Sequence, residues 1–286
     1  MQTVYNFERK TPSNITWDEM ALNCGKNIRI YTIESIHDLT QYIGFAKYIN
    51  KGKYNVFLRG QPDLYDGKMI PSLYRGKKKL NTTTTKYGQR MNSLIKKCPV
   101  FSDYKRNIME PMLQHYGVKT SYLDVVDNVW VALWFALHQA KTVCINSHEY
   151  VYYCDNEKPD SFIVLLASDA ITPSAKQDGV YCGTCTSLVD LRKAVPSYFL
   201  RPHAQHAYML RKNDECPGDY SDLIVGIARI PTNIGIKWLG NNEFLSVRSL
   251  FPAPYFDSGY AKLLHDYPDS DQSTIRQYGS IQIISD

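Results

Sequence analysis

Apolar residues recur along the first half of the chain in runs that predict helices and strands in alternation. Between residues 35 and 47 they fall three and four positions apart, which predicts a helix capped by Ser35. Residues 56–59 are apolar and β-prone and follow a polar turn, so we predict a strand there. A second helix is predicted over residues 102–116, and Pro111 is expected to kink or split it.

The most apolar part of the chain lies near its middle. Residues 129–137 form an unbroken apolar run, and we predict a helix over residues 129–141 that is capped by Asp127 or Asn128. Because this helix is apolar almost all round, it is expected to be buried at the centre of a domain. Residues 117–127 are predicted to be the connection that leads into it. The apolar run is too short to span a bilayer.

The second half of the chain alternates between short strand-like and helix-like patterns. We predict strands at residues 162–166, 206–210 and 223–230, helices at residues 188–194 and 260–265, and a helical or mixed segment at residues 242–250. The first 30 residues predict an irregular or partly extended leader. No repeat or linker divides the chain, which favours one α+β domain over residues 1–286.

Composition and charge narrow the class of protein. The 286 residues are 44% hydrophobic and 21% charged, which is ordinary for a globular protein. The net charge is +5, and residues 75–97 hold eight Lys and Arg but no Asp or Glu. That stretch is either a phosphate-binding segment or a solvated loop. The polar start of the chain carries no secretory signal, so we expect a soluble, cytoplasmic protein without a membrane partner.

The cysteines predict no metal site. The chain has seven, and Cys182 and Cys185 form a lone C-x-x-C pair. A structural zinc site needs a second pair at suitable spacing, which the remaining cysteines do not provide. We therefore expect reduced cysteines and no bound metal.

The segment Arg59-Gly60-Gln61 is the first candidate site. An apolar strand that ends in arginine places a cation where burial is costly unless an anion or a set of carbonyl oxygens meets it. Gly60 allows a backbone or a ligand to approach closely. These residues predict a place for a phosphate or a carboxylate.

Two further clusters carry polar side chains between predicted elements. Residues 114–124 place His115, Thr120 and Ser121 on a glycine-containing connection, and residues 201–208 place Gln205 at the start of a predicted strand. Loops held between regular elements often carry binding or catalytic residues. For His115 or Asp124 taken alone, a buried core histidine and a structural cap are the alternatives.

Together these motifs resemble the FRG domain, a family named for its Phe-Arg-Gly motif. The resembling segments occur in the family's order: Leu58-Arg59-Gly60-Gln61, Pro71-Ser72-Leu73-Tyr74-Arg75, Gln114-His115-Tyr116-Gly117 with Thr120, Leu123-Asp124, Ala132-Leu133-Trp134-Phe135-Ala136, Arg201 with Gln205 and Tyr208, Ile230-Pro231 and Leu250-Phe251-Pro252. The chain departs from the family pattern at Leu58, Ser121 and Ala207, where Phe, Arg and Gly are usual. The resemblance covers residues 35–266, leaving residues 1–34 as an N-terminal extension and residues 267–286 as a C-terminal strand or tail.

FRG domains are in turn distantly similar to ADP-ribosyltransferases of the Arg-Ser-Glu type. This resemblance implies central mixed or antiparallel sheets flanked by helices, with NAD as the substrate and no metal. It implies a catalytic set of Arg59, Thr120, Gln205 and His115. It also implies an NAD-binding set that comprises Arg59, Gly60, Gln61, Tyr74, Arg75, Tyr116, Thr120, Ser121, Tyr122 and Arg201.

The implied roles follow from the chemistry of the transfer. Arg59 would pair with a phosphate of NAD, and the hydroxyls of Thr120 and Ser121 would lie near the nicotinamide ribose. Gln205 would orient that ribose but, being neutral, would not stabilise the positive charge that builds on it. His115 or Asp124 would then supply a base.

The resemblance to these transferases also implies binding partners. Prokaryotic transferases of this kind often act as toxins in phage defence, which implies an antitoxin partner and a protein, RNA or DNA acceptor. Two other readings remain: a non-catalytic module that binds a nucleotide or a partner, and a nuclease that uses His115 and Asp124. The sequence offers the nuclease little support, because no clustered carboxylates suggest a metal pair.

Overall fold

A large mixed β-sheet runs through the protein. The computed structural model describes residues 1–76, 87–89, 92, 96, 104–145, 148–213, 218–266 and 277–278. Within these residues the strands are β1 (Trp17–Ala21), β2 (Asn27–Thr32), β3 (Asn55–Gln61), β4 (Leu123–Val126), β5 (His138–Ile145), β6 (His148–Asp155), β7 (Asp160–Ser168), β8 (Thr172–Pro173), β9 (Val180–Cys182), β10 (Thr186–Asp190), β11 (Ala207–Lys212), β12 (Ile224–Pro231) and β13 (Gln277–Tyr278).

Helices cover the sheet and join its strands. They are α1 (Ile36–Asn50), α2 (Arg106–His115), α3 (Val129–Leu137), α4 (Leu191–Ala194), α5 (Leu200–Ala204), α6 (Thr232–Trp238), α7 (Val247–Leu250) and α8 (Ser258–Asp266). Single 3₁₀ turns lie at Phe7–Arg9, Tyr65–Gly67 and Ser221–Leu223. In the described part of the chain, no helix combines the length and the apolar character that crossing a membrane requires.

Ten strands form the large sheet in the order β1-β2-β12-β7-β3-β4-β11-β10-β9-β8. Neighbours run antiparallel, except that β2 and β12 are parallel. A second sheet has the order β13-β6-β5, and α3 leads directly into its strand β5. The fold is α+β with a large mixed sheet and helices, as the sequence predicts.

The two faces of β3 contribute to two different cores because its side chains alternate. Val56 and Leu58 pack with α1 and α3 in one core, whereas Phe57 packs in the core on the other face. Helix α3 is buried over most of its surface, which explains its apolar composition. A third core, formed around α2, α4 and α8, supports the end of α2 that carries His115.

Strands β3 and β4 meet at a single point. β3 pairs with β7 over seven residues, but it pairs with β4 only through Leu58 and Val126. β4 itself continues the sheet by pairing with β11 over four residues. The two strands therefore separate on both sides of the Leu58–Val126 pair, and a cavity opens on each side.

Several predicted elements are confirmed. Ser35 caps α1 by accepting a hydrogen bond from the backbone of His37. The predicted strands at residues 56–59, 162–166 and 223–230 lie within β3, β7 and β12 apart from their ends. The helix predicted over residues 102–116 is present as α2, but it is shorter than predicted, and Pro111 does not split it.

Other predictions were wrong at their boundaries. The connection predicted at residues 117–127 contains β4, and the helix predicted to reach residue 141 ends at Leu137, where β5 begins. The predicted leader contains β1 and β2, because Ile28 and Ile30 bury alternate positions against the sheet. Gln205 does not begin a strand but ends α5, and β11 starts at Ala207. Most of the basic stretch at residues 75–97 and of the tail at residues 267–286 lies outside the described residues.

Candidate functional site

A cleft of about 470 Å³ opens where β3 and β4 separate. Its volume is typical of small-molecule sites. Its polar lining comes from Arg59, Arg75, Gln114, His115, Asp124 and Gln205. Its aromatic lining comes from Tyr65, Phe135, His138, Tyr153 and Phe251. Charged and aromatic side chains in one cleft suit a ligand that carries both an anion and a planar ring.

Arg59 projects from β3 into the gap between the strands. Its Nη1 donates to the main-chain oxygen of Asp124 at 2.6 Å and lies 4.0 Å from the Asp124 carboxylate. Burial lowers the pKa of Arg59 and Asp124 opposes this shift, but an arginine pKa starts so high that the group stays cationic. Nε is buried and has no hydrogen-bond partner among the described residues, whereas the side chain as a whole is 17% exposed. Through its exposed part the cation faces the cleft, where an anion can meet it.

Gly60 is required by the packing of α3 on β3. A Cβ atom at this position would lie 1.9 Å from the main-chain oxygen of Ala132 and 2.6 Å from the nitrogen of Ala136. The backbone that approaches Gly60 so closely is therefore that of α3. This contact fixes the strand residue that precedes it, Arg59, against a largely buried helix.

Asp124 is the carboxylate of the cleft. It is the single acidic residue among the described residues that line it, and its side chain is 46% exposed. Gln114 donates from Nε2 to Oδ2 of Asp124 at 2.5 Å. The carboxylate is therefore held in one orientation while it still faces the solvent of the cleft.

Thr120 orients Gln114 from behind the cleft wall. Thr120 is fully buried, and its hydroxyl donates to Oε1 of Gln114 and accepts from the backbone nitrogen of Tyr122 at 3.1 Å. With Oε1 held by Thr120, the amide of Gln114 presents Nε2 to Asp124. Thr120 thus acts on the cleft through Gln114 and has no surface in it.

His115 stands beside Asp124 at the end of α2. Its Nε2 lies 3.5 Å from Oδ1 of Asp124, and only 4% of its side chain is exposed. Burial lowers the pKa of His115, and the attraction of Asp124 and a hydrogen bond with Gln205 only partly offset this effect. The imidazole is therefore neutral at neutral pH and can accept a proton.

Gln205 is held where α5 ends. It is 5% exposed, and its Nε2 donates to the main-chain oxygen of Leu250 at 2.8 Å. Its side chain also contacts His115. A chain segment about 90 positions downstream of His115 thereby contributes to the polar lining of the cleft.

Arg201 and Tyr116 form a buried layer beneath His115. Arg201 is fully buried, donates from Nη1 to the main-chain oxygen of His115 at 2.6 Å, and lies 4.6 and 4.5 Å from the ring centres of Tyr116 and Tyr260. Tyr116 donates to Asp257 at 2.8 Å. These groups hold the end of α2 and do not line the cleft.

The structure brings together five of the residues predicted for the site: Arg59, Gly60, Arg75, His115 and Gln205. The others lie outside the described lining, because packing covers them: Gln61, Tyr74, Tyr116, Thr120, Ser121, Tyr122 and Arg201. Ser121, for example, donates to Glu110 at 3.0 Å in a buried pair.

Sequence reasoning missed Gln114 and the aromatic residues that line the cleft. Gln114 opens the motif that also contains His115, so its place in that motif was an available signal. Tyr65 occupies the left-handed region at φ 50°, an uncommon conformation for a bulky residue that no local sequence signal indicates. Phe251 and Tyr153 reach the cleft only through the tertiary fold.

Among the described residues no group of three or more His, Cys, Asp or Glu could hold a metal ion. Cys182 and Cys185 are exposed and unpaired with each other.

The comparisons with known proteins support one family for part of the chain. Residues 54–143 match the family model of the FRG domain. This segment carries Arg59, Arg75, His115 and Asp124, and it ends before the segment that supplies Gln205. No curated protein and no solved structure matches the chain. The cleft between β3 and β4 is thus built mainly from an FRG-like segment.

Proposed function

We propose that the protein is an NAD-dependent ADP-ribosyltransferase whose active site is the cleft between β3 and β4. One observation supports this assignment above the others. The cation of Arg59, the imidazole of His115, the carboxylate of Asp124 and the amide of Gln205 come from separate parts of the chain and line one cavity. Convergence of charged and titratable groups on one cavity is typical of active sites.

Binding of NAD would use both the cationic and the aromatic side chains of the cleft. Arg59 and the exposed Arg75 would take the diphosphate through charge-assisted hydrogen bonds. The nicotinamide ring would lie against Tyr153 and Phe251, which stack with ring centres 4.8 Å apart. The adenosine end would extend past Arg75 toward solvent.

The chemical step would break the bond between ribose C1′ and the nicotinamide nitrogen. The bonding electrons leave with nicotinamide, so positive charge builds on the ribose. Asp124 would stabilise that charge, which compensates for the neutral side chain of Gln205. Gln205 would orient a ribose hydroxyl. As the acceptor nucleophile bonds to C1′, its proton would pass to neutral His115.

The acceptor would be a macromolecule that docks beside Phe251. Tyr255 and Phe256 follow Phe251 on a turn and are 88% and 70% exposed. The turn is anchored, because the backbone nitrogens of Phe256 and Asp257 both donate to the oxygen of Ala253. Exposed aromatic side chains on a fixed turn commonly mark an interaction surface. The family resemblance further supports a cytoplasmic toxin role in phage defence, with an antitoxin as regulator and a protein, RNA or DNA acceptor.

The test is release of nicotinamide from NAD, with transfer of labelled ADP-ribose to a cell extract. Asp124→Asn should lower the rate about 100-fold or more, because it removes the charge next to the reacting sugar. Asp222→Asn is the matched control, since Asp222 is 40% exposed and paired with Lys212 at 3.1 Å, and it does not line the cleft.

Two other outcomes of the NAD assay would argue against a transferase in this cleft. NAD binding that requires Arg59 but gives no nicotinamide would favour a non-catalytic nucleotide-binding module. A wild-type chain that neither binds nor consumes NAD would refute the assignment of this cleft. Protease or nuclease treatment of the labelled extract would show whether the acceptor is a protein or a nucleic acid.

A further inference from the structure

We propose that a second cavity, on the other side of the Leu58–Val126 pair, binds a nucleoside monophosphate. This cavity has a volume of about 420 Å³ and is separate from the cleft. Its polar and aromatic lining comes from Lys47, Lys51, Asn55, Asp127, Tyr181 and Tyr208. The inference is independent of the transferase assignment, because the two cavities share no described lining residue.

The charge of the second cavity favours an anion. Lys47 and Lys51 lie at the C-terminal end of α1 and make no ion pair among the described residues. A helix C-terminus carries only about half a negative charge, so two lysines leave positive charge in excess. Lys51 lies 3.9 Å from the ring centre of Tyr48, a contact that leaves its charge in place.

The one carboxylate in the lining is held by a cation of the fold. Arg192 donates to both oxygens of Asp127, at 3.3 and 3.1 Å, and Tyr208 donates to it at 3.2 Å. Arg192 also pairs with the buried Asp190 at 3.1 Å, so the three groups together carry one net negative charge. The two lysines outweigh this charge together with that of the helix end, and the excess is available to a ligand phosphate.

The floor and walls of the cavity favour a planar ring. Phe57 is buried, and its ring centre lies 4.9 Å from that of Tyr208. Tyr181 contributes a third aromatic side chain from β9. The exposed amide of Asn55 offers both a donor and acceptors to the edge of a base. A nucleotide whose base lies beside Tyr181 and Tyr208 would place its phosphate at the two lysines. It would then contact both the aromatic and the cationic residues of the lining.

Isothermal titration of the full chain with adenosine monophosphate tests this site. Lys47→Ala/Lys51→Ala should weaken binding about tenfold or more, because both phosphate contacts are lost. Tyr181→Ala should weaken binding of the nucleotide and of adenosine alike. Lys53→Ala is the control, since Lys53 is exposed on the same turn but does not line the cavity. Adenosine alone and inorganic phosphate alone should each bind more weakly than the nucleotide.

Adenosine monophosphate is also part of NAD, so the cleft must be separated from the second cavity. Arg75→Ala alters the cleft alone and should leave the binding that depends on Lys47 and Lys51 intact. The proposal is overturned if the nucleotide does not bind, if the double lysine variant binds it as tightly as wild type, or if Arg75→Ala abolishes its binding. Loss of transferase activity has no bearing on any of these outcomes.

Discussion

Arg59 reaches the main-chain oxygen of Asp124 at 2.6 Å, at a position where the strands that carry the two residues have already separated. A side chain thereby makes a contact that the backbone of β3 would make in a continuous sheet. The guanidinium joins the two walls of the cleft and also supplies its charge. Replacement of Arg59 is therefore expected to affect both stability and ligand binding, so more selective changes are needed to separate the two.

Gly60→Ala should destabilise the fold by about 3 kcal/mol or more, because the new Cβ would overlap the backbone of α3 and overpacking of this kind strains the core. Urea unfolding measures the change. Gly44→Ala is the matched control, since no atom lies within 4 Å of the added Cβ and the position is inside α1. It should be neutral or stabilise by about 0.5–1 kcal/mol. Equal stability of the two variants would contradict the packing argument.

Thr120→Val should lower nicotinamide release about tenfold or more, because Gln114 loses the hydroxyl that orients its amide toward Asp124. It should also cost about 1–3 kcal/mol of stability, since the backbone nitrogen of Tyr122 loses its partner. Thr120→Ser keeps the hydroxyl and should retain most of the activity. If Thr120→Ser is as inactive as Thr120→Val, the hydroxyl is not the feature that matters.

Stability should fall as the pH decreases below about 6.5, the ordinary pKa of histidine. The pKa values of His115 and His138 are both lowered by burial, so in this range the unfolded chain binds protons that the folded chain does not. The stabilisation is complete above the unfolded pKa and is lost as the pH falls toward the folded values. Chemical unfolding at pH 7.5 and 5.5 measures it. His115→Asn should show a smaller difference between the two pH values, and an unchanged difference would argue against a buried neutral His115.

Tyr255→Ser/Phe256→Ser should reduce transfer to a macromolecular acceptor about tenfold, while nicotinamide release without acceptor stays near the wild-type rate. The reason is that both rings are exposed and lie outside the described lining of the cleft. Labelled NAD with extract and without it gives the two rates. Tyr48→Ser serves for comparison, since Tyr48 is 64% exposed on α1. If both rates fall equally, the turn is needed for the structure of the cleft and does not bind the acceptor.

The parts of the fold that depend on local sequence were predictable. The capping hydroxyl of Ser35 predicts the start of α1, and the apolar composition of residues 129–137 predicts the buried helix α3. β1 and β2 were not predicted, because their place is decided by the pairing of β2 with the distant strand β12. The change from helix to strand at His138 likewise depends on the pairing of β5 with β6.

The residues of the site likewise include some that the sequence could predict and some that it could not. Arg59 and His115 could be found because a cation after an apolar strand and a histidine in a glycine-containing motif are visible in the sequence. The sequence could not show that Arg201, a long charged side chain, is enclosed by the rings of Tyr116 and Tyr260. Nor could it show that Thr120 faces Gln114 and not a ligand, since that depends on the bend of the chain between α2 and β4.

The backbones of β3 and β4 are joined by one residue pair, Leu58 and Val126, and each cavity lies on one side of it. One interruption in strand pairing therefore creates two separate sites in the interior of a sheet that is otherwise continuous from β1 to β8. A sheet usually presents ligands only with its edges and loops, whereas here the missing hydrogen bonds of two central strands leave room for them.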